Sequence, residues 1–145
     1  MQSWLAAVTL ALAACGTSYT LDEAEGVAAI RAEFTAHGIS TGATRPVGPL
    51  RIDDVEVSFS LDGWSLADQL GFEYVSDGDD DFSEAKSDLG GSLEWPKLQT
   101  AIDEALVEEP GTHVMVVRTW GHETAELATD QLRRYVSDWL TAQGR

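Results

Sequence analysis

The acidic stretch Asp77-Gly78-Asp79-Asp80-Asp81 holds the densest set of potential metal ligands in the chain. Oxygen ligands at alternate positions, here Asp77, Asp79 and Asp81, suit Ca²⁺, which takes about six to eight of them. The EF-hand pattern fails, because the stretch lacks the central glycine and the final glutamate of that motif. We therefore expect a solvated acidic loop, with a weak calcium site as the alternative and no other cofactor.

A second stretch, Gly63-Trp64-Ser65-Leu66-Ala67, matches the nucleophile elbow G-x-S-x-G except at its last position. A nucleophilic serine also needs a positioned base and an oxyanion hole. His122 is the best candidate base, because it follows a predicted strand and has Glu123 beside it. A small hydrolase using Ser65 and His122 is thus an alternative, but the incomplete motif favours a protein that is not an enzyme.

Two tryptophans are candidates for a binding surface. Trp64 follows a predicted turn, and Trp120 ends a predicted strand shortly before His122. Rings with an apolar body and a polar tip are frequent at binding sites. Trp64, Trp120 and His122 therefore predict either a binding face or buried positions at the rim of the core. By contrast, Trp95 and Trp139 lie on apolar helix stripes and are expected to pack in the core.

The only cysteine of the chain, Cys15, follows the apolar run Trp4–Ala14. The tetrapeptide Leu12-Ala13-Ala14-Cys15 resembles the lipobox of bacterial lipoprotein signal peptides, in which leucine and two small residues precede the cysteine. The resemblance implies cleavage after Ala14 and a diacylglyceryl group on the Cys15 sulfur. It also implies lipid anchoring on the extracytoplasmic face of a cell membrane or outer membrane. Met1-Gln2-Ser3 departs from the usual pattern, because it carries no basic side chain.

The length of the apolar run argues against a retained membrane span. At about 1.5 Å per residue it crosses roughly half of a ~30 Å hydrocarbon core. A buried N-terminal helix and an ordinary secretion signal are the alternatives. The predicted segments are a signal peptide over residues 1–14, a lipidated tether over 15–19, and a single acidic domain over 20–145. Four residues reach at most about 14 Å, so the domain is expected to lie close to the membrane.

The net charge of −16 is concentrated in the middle of the chain. Residues 53–110 carry seventeen acidic side chains against two lysines. A field of this sign repels nucleic acid and anionic lipid, and it attracts cations or a basic protein. We therefore predict no nucleic-acid partner, and an orientation that turns the basic residues Arg133, Arg134 and Arg145 toward the lipid.

Helical spacing of apolar residues predicts three helices, over about residues 21–37, 95–109 and 123–142. The first is predicted to begin with a capping box in which Thr20 is the N-cap and Glu23 is the third helical residue. With a single cysteine no internal disulfide is possible, so the stability of the domain must come from its hydrophobic core.

Alternating or continuous apolar residues predict three strands, over residues 50–61, 71–75 and 113–117. Asp53-Asp54 interrupts the first, either as a bulge or as the true start of the strand. The last strand is apolar throughout, which predicts a central position in the sheet. Residues 40–49 and 77–92 are predicted loops.

The predicted order of elements is therefore α-β-β-α-β-α. Mixed order favours an α+β fold, here a small two-layer sandwich with a mixed sheet of about three strands and the helices on one face. The second helix is expected to connect parallel strands two and three.

These features favour a lipid-anchored extracytoplasmic domain that binds a protein or a small ligand. One variant of this hypothesis is an immunity-type inhibitor that neutralises a basic toxin in the envelope, because complementary charge speeds such an encounter. A small hydrolase is the competing class.

Overall fold

The computed structural model describes residues 18–76, 82, 94–118 and 121–145. In this part of the chain three helices and two small sheets form an α+β fold, which confirms the predicted class. The elements in chain order are α1 (Glu23–Ala36), β1 (Pro46–Ile52), β2 (Val55–Ser60), β3 (Gly63–Ser65), β4 (Leu70–Tyr74), α2 (Trp95–Ala105), β5 (His113–Val117) and α3 (Ala125–Ala142).

The strand predicted over residues 50–61 is instead a hairpin, in which β1 pairs antiparallel with β2. Asp53 and Asp54 form its two-residue turn, with φ of 46° and 70°. Two consecutive positive φ values are typical of the type I′ turn, and aspartate tolerates the left-handed region better than most residues. The break in alternation at Asp53-Asp54 therefore marks a chain reversal, and β1 extends into the predicted loop.

The second sheet has the order β3-β4-β5, with β3 antiparallel and β5 parallel to β4. A mixed sheet of three strands and the parallel connection through α2 are thus confirmed. The third strand of this sheet is β3, whereas the strand predicted over residues 50–61 lies in the separate sheet of β1 and β2. The prediction that β5 is central is wrong, because it lies at an edge. Gln99 of α2 covers that edge: its side-chain amide donates to the Val114 carbonyl at 2.9 Å and accepts the Val116 N–H at 2.8 Å.

Both faces of this sheet are covered. Val114 and Val116 pack with the hairpin and α2, whereas Met115 and Val117 pack with α1 and α3. Alternate residues of a strand point to opposite faces, so a continuous apolar run is needed at an edge strand covered on both sides. The arrangement differs from the predicted two layers, because α2 lies on the face opposite α1 and α3.

The first helix begins two residues later than predicted. Asp22 is the N-cap, and it exchanges hydrogen bonds with Glu25 in a complete capping box. Gly38, with φ of 76°, follows the helix end, where a glycine in the left-handed region commonly ends a helix. Within α1, Gly26 lies against the ring of Tyr74, where any Cβ would overlap the ring.

Within the described ranges, the longest apolar stretches of helix fall short of what a membrane crossing requires.

Candidate functional site

The segment after Cys15 is joined to the end of the sheet by a short antiparallel bridge. The Tyr19 N–H donates to the His122 carbonyl at 2.6 Å, and the His122 N–H donates to the Tyr19 carbonyl at 2.8 Å. Beside the bridge, Ser18 lies so close to Gly121 that a Cβ at residue 121 would overlap the serine side chain. Any side chain at residue 121 would therefore force Ser18 to shift.

A side-chain bond fixes the same segment to α1. The Tyr19 hydroxyl donates to Glu25 Oε1, and the other oxygen of that carboxylate accepts the Asp22 N–H of the capping box. Hydrogen bonding of its protonated form to Glu25 raises the pKa of Tyr19. Tyr19 is thus held by two main-chain bonds to His122 and one side-chain bond to α1.

His122 also lines the main cavity among the described residues, which has a volume of about 490 Å³. The cavity lies between the C-terminal half of β5, the start of α2 and one stripe of α3. This volume is in the range of small-molecule sites. The lining residues are Trp95, Val116, Val117, Arg118, His122, Gln131, Leu132, Arg134, Tyr135 and Asp138.

The pattern of α3 explains how one helix supplies both core and cavity. Leu132, Val136 and Leu140 are buried at helical spacing. Gln131, Arg134, Tyr135 and Asp138 repeat at the same spacing on the adjacent stripe and are exposed. Residues three and four apart share a helix face, so the second stripe forms a polar rim beside an apolar floor.

Two aromatic side chains stand at the edge of the cavity. Trp95 is 38% exposed and Tyr135 is 47% exposed. The expectation that Trp95 packs in the core is therefore wrong, since helical spacing identifies a stripe but not what covers it. Exposed aromatic rings beside an apolar volume are typical of binding sites, because they offer large contact areas with few rotatable bonds.

The charges at the rim differ from those of the chain as a whole. Two arginines, Arg118 and Arg134, and one carboxylate, Asp138, line the cavity of a protein whose net charge is −16. Arg133 and Arg145, which were predicted to face the lipid together with Arg134, form ion pairs with Glu33 and Asp68 respectively. Arg134 and Asp138 have no such partner in the part of the chain that the structure describes.

The remaining predicted binding residues are not brought to this cavity. Trp64 is 3% exposed, and the Arg45 guanidinium lies 4.5 Å from its ring centroid. Trp64 belongs to β3, at the sheet edge opposite β5. Trp120, the lipidation residue Cys15, and the calcium candidates Asp77, Asp79 and Asp81 lie outside the described residues.

The structure does not assemble the predicted hydrolase. Ser65 is buried, and its hydroxyl donates to Asp68 Oδ2 at 2.9 Å in a local turn. It pairs with Leu70, which lies beside His113 at the start of β5. His122 comes after the other end of β5, and the strand itself is about 13 Å long. No carboxylate, imidazole or thiol cluster suited to a metal ion occurs among the described residues.

A cluster of serine, histidine and glutamate joins α1 to α3 on another surface. His37 Nε2 lies 3.1 Å from Ser137 Oγ and 3.5 Å from Glu33 Oε1. A catalytic triad uses the two ring nitrogens for two different partners, whereas both contacts here involve the same nitrogen. The cluster therefore contributes to helix pairing and not to nucleophile activation.

Comparisons with known proteins do not assign the chain to a group: no family model, no curated protein and no solved structure matches it.

Proposed function

We propose that this protein is a lipid-anchored extracytoplasmic binding domain that takes a small ligand into the cavity between β5 and α3. The observation that carries the proposal is the bridge between Tyr19 and His122. Tyr19 lies four residues after the predicted lipidation site, and His122 lines the cavity. The resemblance of residues 12–15 to a lipobox supports the anchor.

The geometry of the tether supports a membrane-facing cavity. Four residues from Cys15 to Tyr19 span at most about 14 Å. Tyr19 is fixed by its bonds to His122 and Glu25, so the tether has little additional reach. The end of the domain that holds His122 therefore stays near the lipid to which Cys15 is attached.

The C-terminal end of α2, which is the end away from the cavity, carries exposed acidic side chains. Asp103, Glu104 and Glu108 are exposed near its C-terminus, whereas Trp95 at its N-terminus lines the cavity. Trp95 and Glu104 are nine positions apart on the helix, which corresponds to about 13 Å along its axis. Because the Debye length is about 8 Å in physiological salt, the acidic end is screened from the lipid surface and from the cavity.

The anchor is tested by Cys15→Ser in the native host, with Thr17→Ser as the matched control. The proposal predicts that Cys15→Ser abolishes incorporation of labelled palmitate and moves the protein from the membrane fraction to the soluble fraction. The control variant should behave as the wild type. Equal membrane retention of Cys15→Ser and wild type would contradict the anchor.

The cavity is tested by titration with N-phenyl-1-naphthylamine, an uncharged apolar dye whose fluorescence rises on leaving water. We expect saturable binding that weakens about tenfold in Tyr135→Ala, because the aromatic contact area is lost. Leu127→Ala is the matched control, since Leu127 is 44% exposed on the same helix but does not line the cavity. Absence of saturable binding, or equal loss in both variants, would contradict the proposal.

A second candidate function is inhibition of a basic envelope protein through the acidic end of α2. It is favoured by Val107, a 73% exposed side chain that is followed by Glu108 and lies three residues after Glu104. An apolar anchor surrounded by acid suits a basic partner. In a pull-down from envelope extract, this function predicts a basic protein that salt elutes and that a Glu104→Lys, Glu108→Lys double variant no longer retains. Equal retention by wild type and double variant would exclude it.

A further inference from the structure

We infer that the cavity binds a single-chain amphiphile whose head carries both a phosphate and an ammonium group. The inference rests on the proposed function, because it names the ligand of that same cavity. It combines three features of the site: an apolar floor, two opposite charges one helical turn apart, and two exposed aromatic rings.

The floor of the cavity suits an aliphatic chain. Val116, Val117 and Leu132 are buried side chains without polar atoms. Polar side chains are confined to the rim, so the site favours a ligand with an apolar body and a polar end. Burial of each additional CH₂ group is worth about 0.8 kcal/mol, or about fourfold in affinity, until the cavity is full.

The rim charges, two arginines and one carboxylate, offer a site for each charge of the head. Arg134 and Asp138 lie four residues apart on α3, so their Cβ atoms are about 6 Å apart on one helix face. They do not pair with each other, and neither has an ion-pair partner within the described ranges. A guanidinium is well suited to the oxygens of a phosphate, and a carboxylate to an ammonium group.

The aromatic rings strengthen the site for the ammonium group. Tyr135 lies between Arg134 and Asp138 in sequence, and Trp95 borders the same cavity. The faces of tryptophan and tyrosine attract cations, and quaternary ammonium ligands are recognised in this way. A purely anionic head group would be repelled by Asp138. A purely cationic head group would be repelled by Arg134.

The test compares four ligands with the same twelve-carbon chain, each below its micellar concentration: dodecylphosphocholine, dodecyl phosphate, dodecyltrimethylammonium and dodecanol. Displacement of the uncharged dye measures their affinities. The inference predicts that dodecylphosphocholine binds most tightly, about tenfold above dodecanol. Chain-length variants of the phosphocholine ligand should gain affinity with each CH₂ group.

Single substitutions of Arg134 and Asp138 test the contribution of each charge separately. Arg134→Gln should weaken dodecylphosphocholine and dodecyl phosphate about tenfold and leave dodecyltrimethylammonium no weaker. Asp138→Asn should weaken dodecylphosphocholine and dodecyltrimethylammonium and leave dodecyl phosphate no weaker. Arg133→Gln and Asp130→Asn are the matched controls, because these neighbours on α3 do not line the cavity.

The outcomes distinguish this inference from the proposed function. If the dye binds but the four heads bind equally, or if a single-charge head binds most tightly, the zwitterionic ligand is excluded and the cavity remains a binding site. If dye binding itself is absent or insensitive to Tyr135→Ala, both the ligand and the proposed cavity function fail.

Discussion

Tyr19 and His122 exchange two main-chain hydrogen bonds, of 2.6 and 2.8 Å, and so join two segments that are far apart in sequence. The bridge joins the segment that follows the predicted lipidation site to a residue that lines the cavity. The position of the cavity relative to the predicted lipidation site therefore depends on this backbone contact, together with the side-chain bond from Tyr19 to Glu25.

This contact predicts a specific effect of Gly121→Ala. The added Cβ would overlap the side chain of Ser18, so the segment must move and the bridge must weaken. We expect a loss of about 1 kcal/mol in the free energy of unfolding and faster hydrogen exchange of the Tyr19 and His122 amides. Gly42→Ala is the control, because Gly42 has open space around it. Equal exchange rates in the two variants would argue against a tight bridge.

A second glycine predicts a larger effect in the core. Alanine is the better helix former by about 1 kcal/mol, yet Gly26→Ala should destabilise the protein by about 1–3 kcal/mol. The reason is that the new Cβ would overlap the buried ring of Tyr74, whose hydroxyl donates to the Leu21 carbonyl. Urea unfolding measures the difference. A stabilised variant would mean that α1 and β4 are not packed as closely as described.

The backbone groups at the free edge of β5 are satisfied by one side chain, that of Gln99. Gln99→Ala removes the partners of the Val116 N–H and the Val114 carbonyl. Leaving buried groups unsatisfied costs about 1–3 kcal/mol, so we expect a loss of that size and a greater tendency to aggregate. Thr100→Ala should change stability by no more than about 0.5 kcal/mol, since its hydroxyl bonds only to the Pro96 carbonyl of its own helix. Comparable losses in the two variants would refute the edge role.

Alkaline pH should loosen the attachment of the tether. The bond to Glu25 raises the pKa of Tyr19, so the folded state holds this proton more tightly than the unfolded state. The resulting stability is complete below the ordinary tyrosine pKa of about 10 and is lost as the pH rises through the raised value.

The stability difference between wild type and Tyr19→Phe should therefore shrink between about pH 8 and about pH 11. Lys97, beside Asp53, also has a raised pKa and loses stabilisation in the same range. It is present in both proteins, so its contribution cancels in the difference. A gap that stays constant with pH would show that folding does not raise the pKa of the Tyr19 hydroxyl.

The sequence predicts the parts of this fold that depend on local pattern. The helical spacing of Ile30 and Phe34, and the continuous apolar run of β5, both identify elements that the structure contains. The hairpin was missed because its turn is Asp53-Asp54, which lacks the glycine of the common two-residue turns. The edge position of β5 is not predicted, because its apolar run indicates that both faces are covered but not whether a strand or the Gln99 side chain lies beside it.

The residues that line the cavity are only partly predictable from the sequence. The position of His122 after a predicted strand makes it a candidate, whereas the apolar stripe that holds Trp95 predicts a core position for that residue. A helical stripe gives direction around the helix but not the identity of the neighbouring element. Which of two adjacent stripes on α3 is covered depends on the placement of α1, β5 and α2 around it.

We propose that the end of the domain that holds the cavity faces the membrane, and that the acidic C-terminal end of α2 faces away from it. Because lipid would block the only native cysteine, Tyr135→Cys and Glu108→Cys each give the lipidated protein one reactive thiol for a fluorescent donor. Energy transfer to acceptor-labelled lipids in vesicles then reports the distance of each site from the bilayer. We expect markedly stronger transfer from residue 135 than from residue 108, and equal or reversed transfer would show that the cavity does not face the membrane.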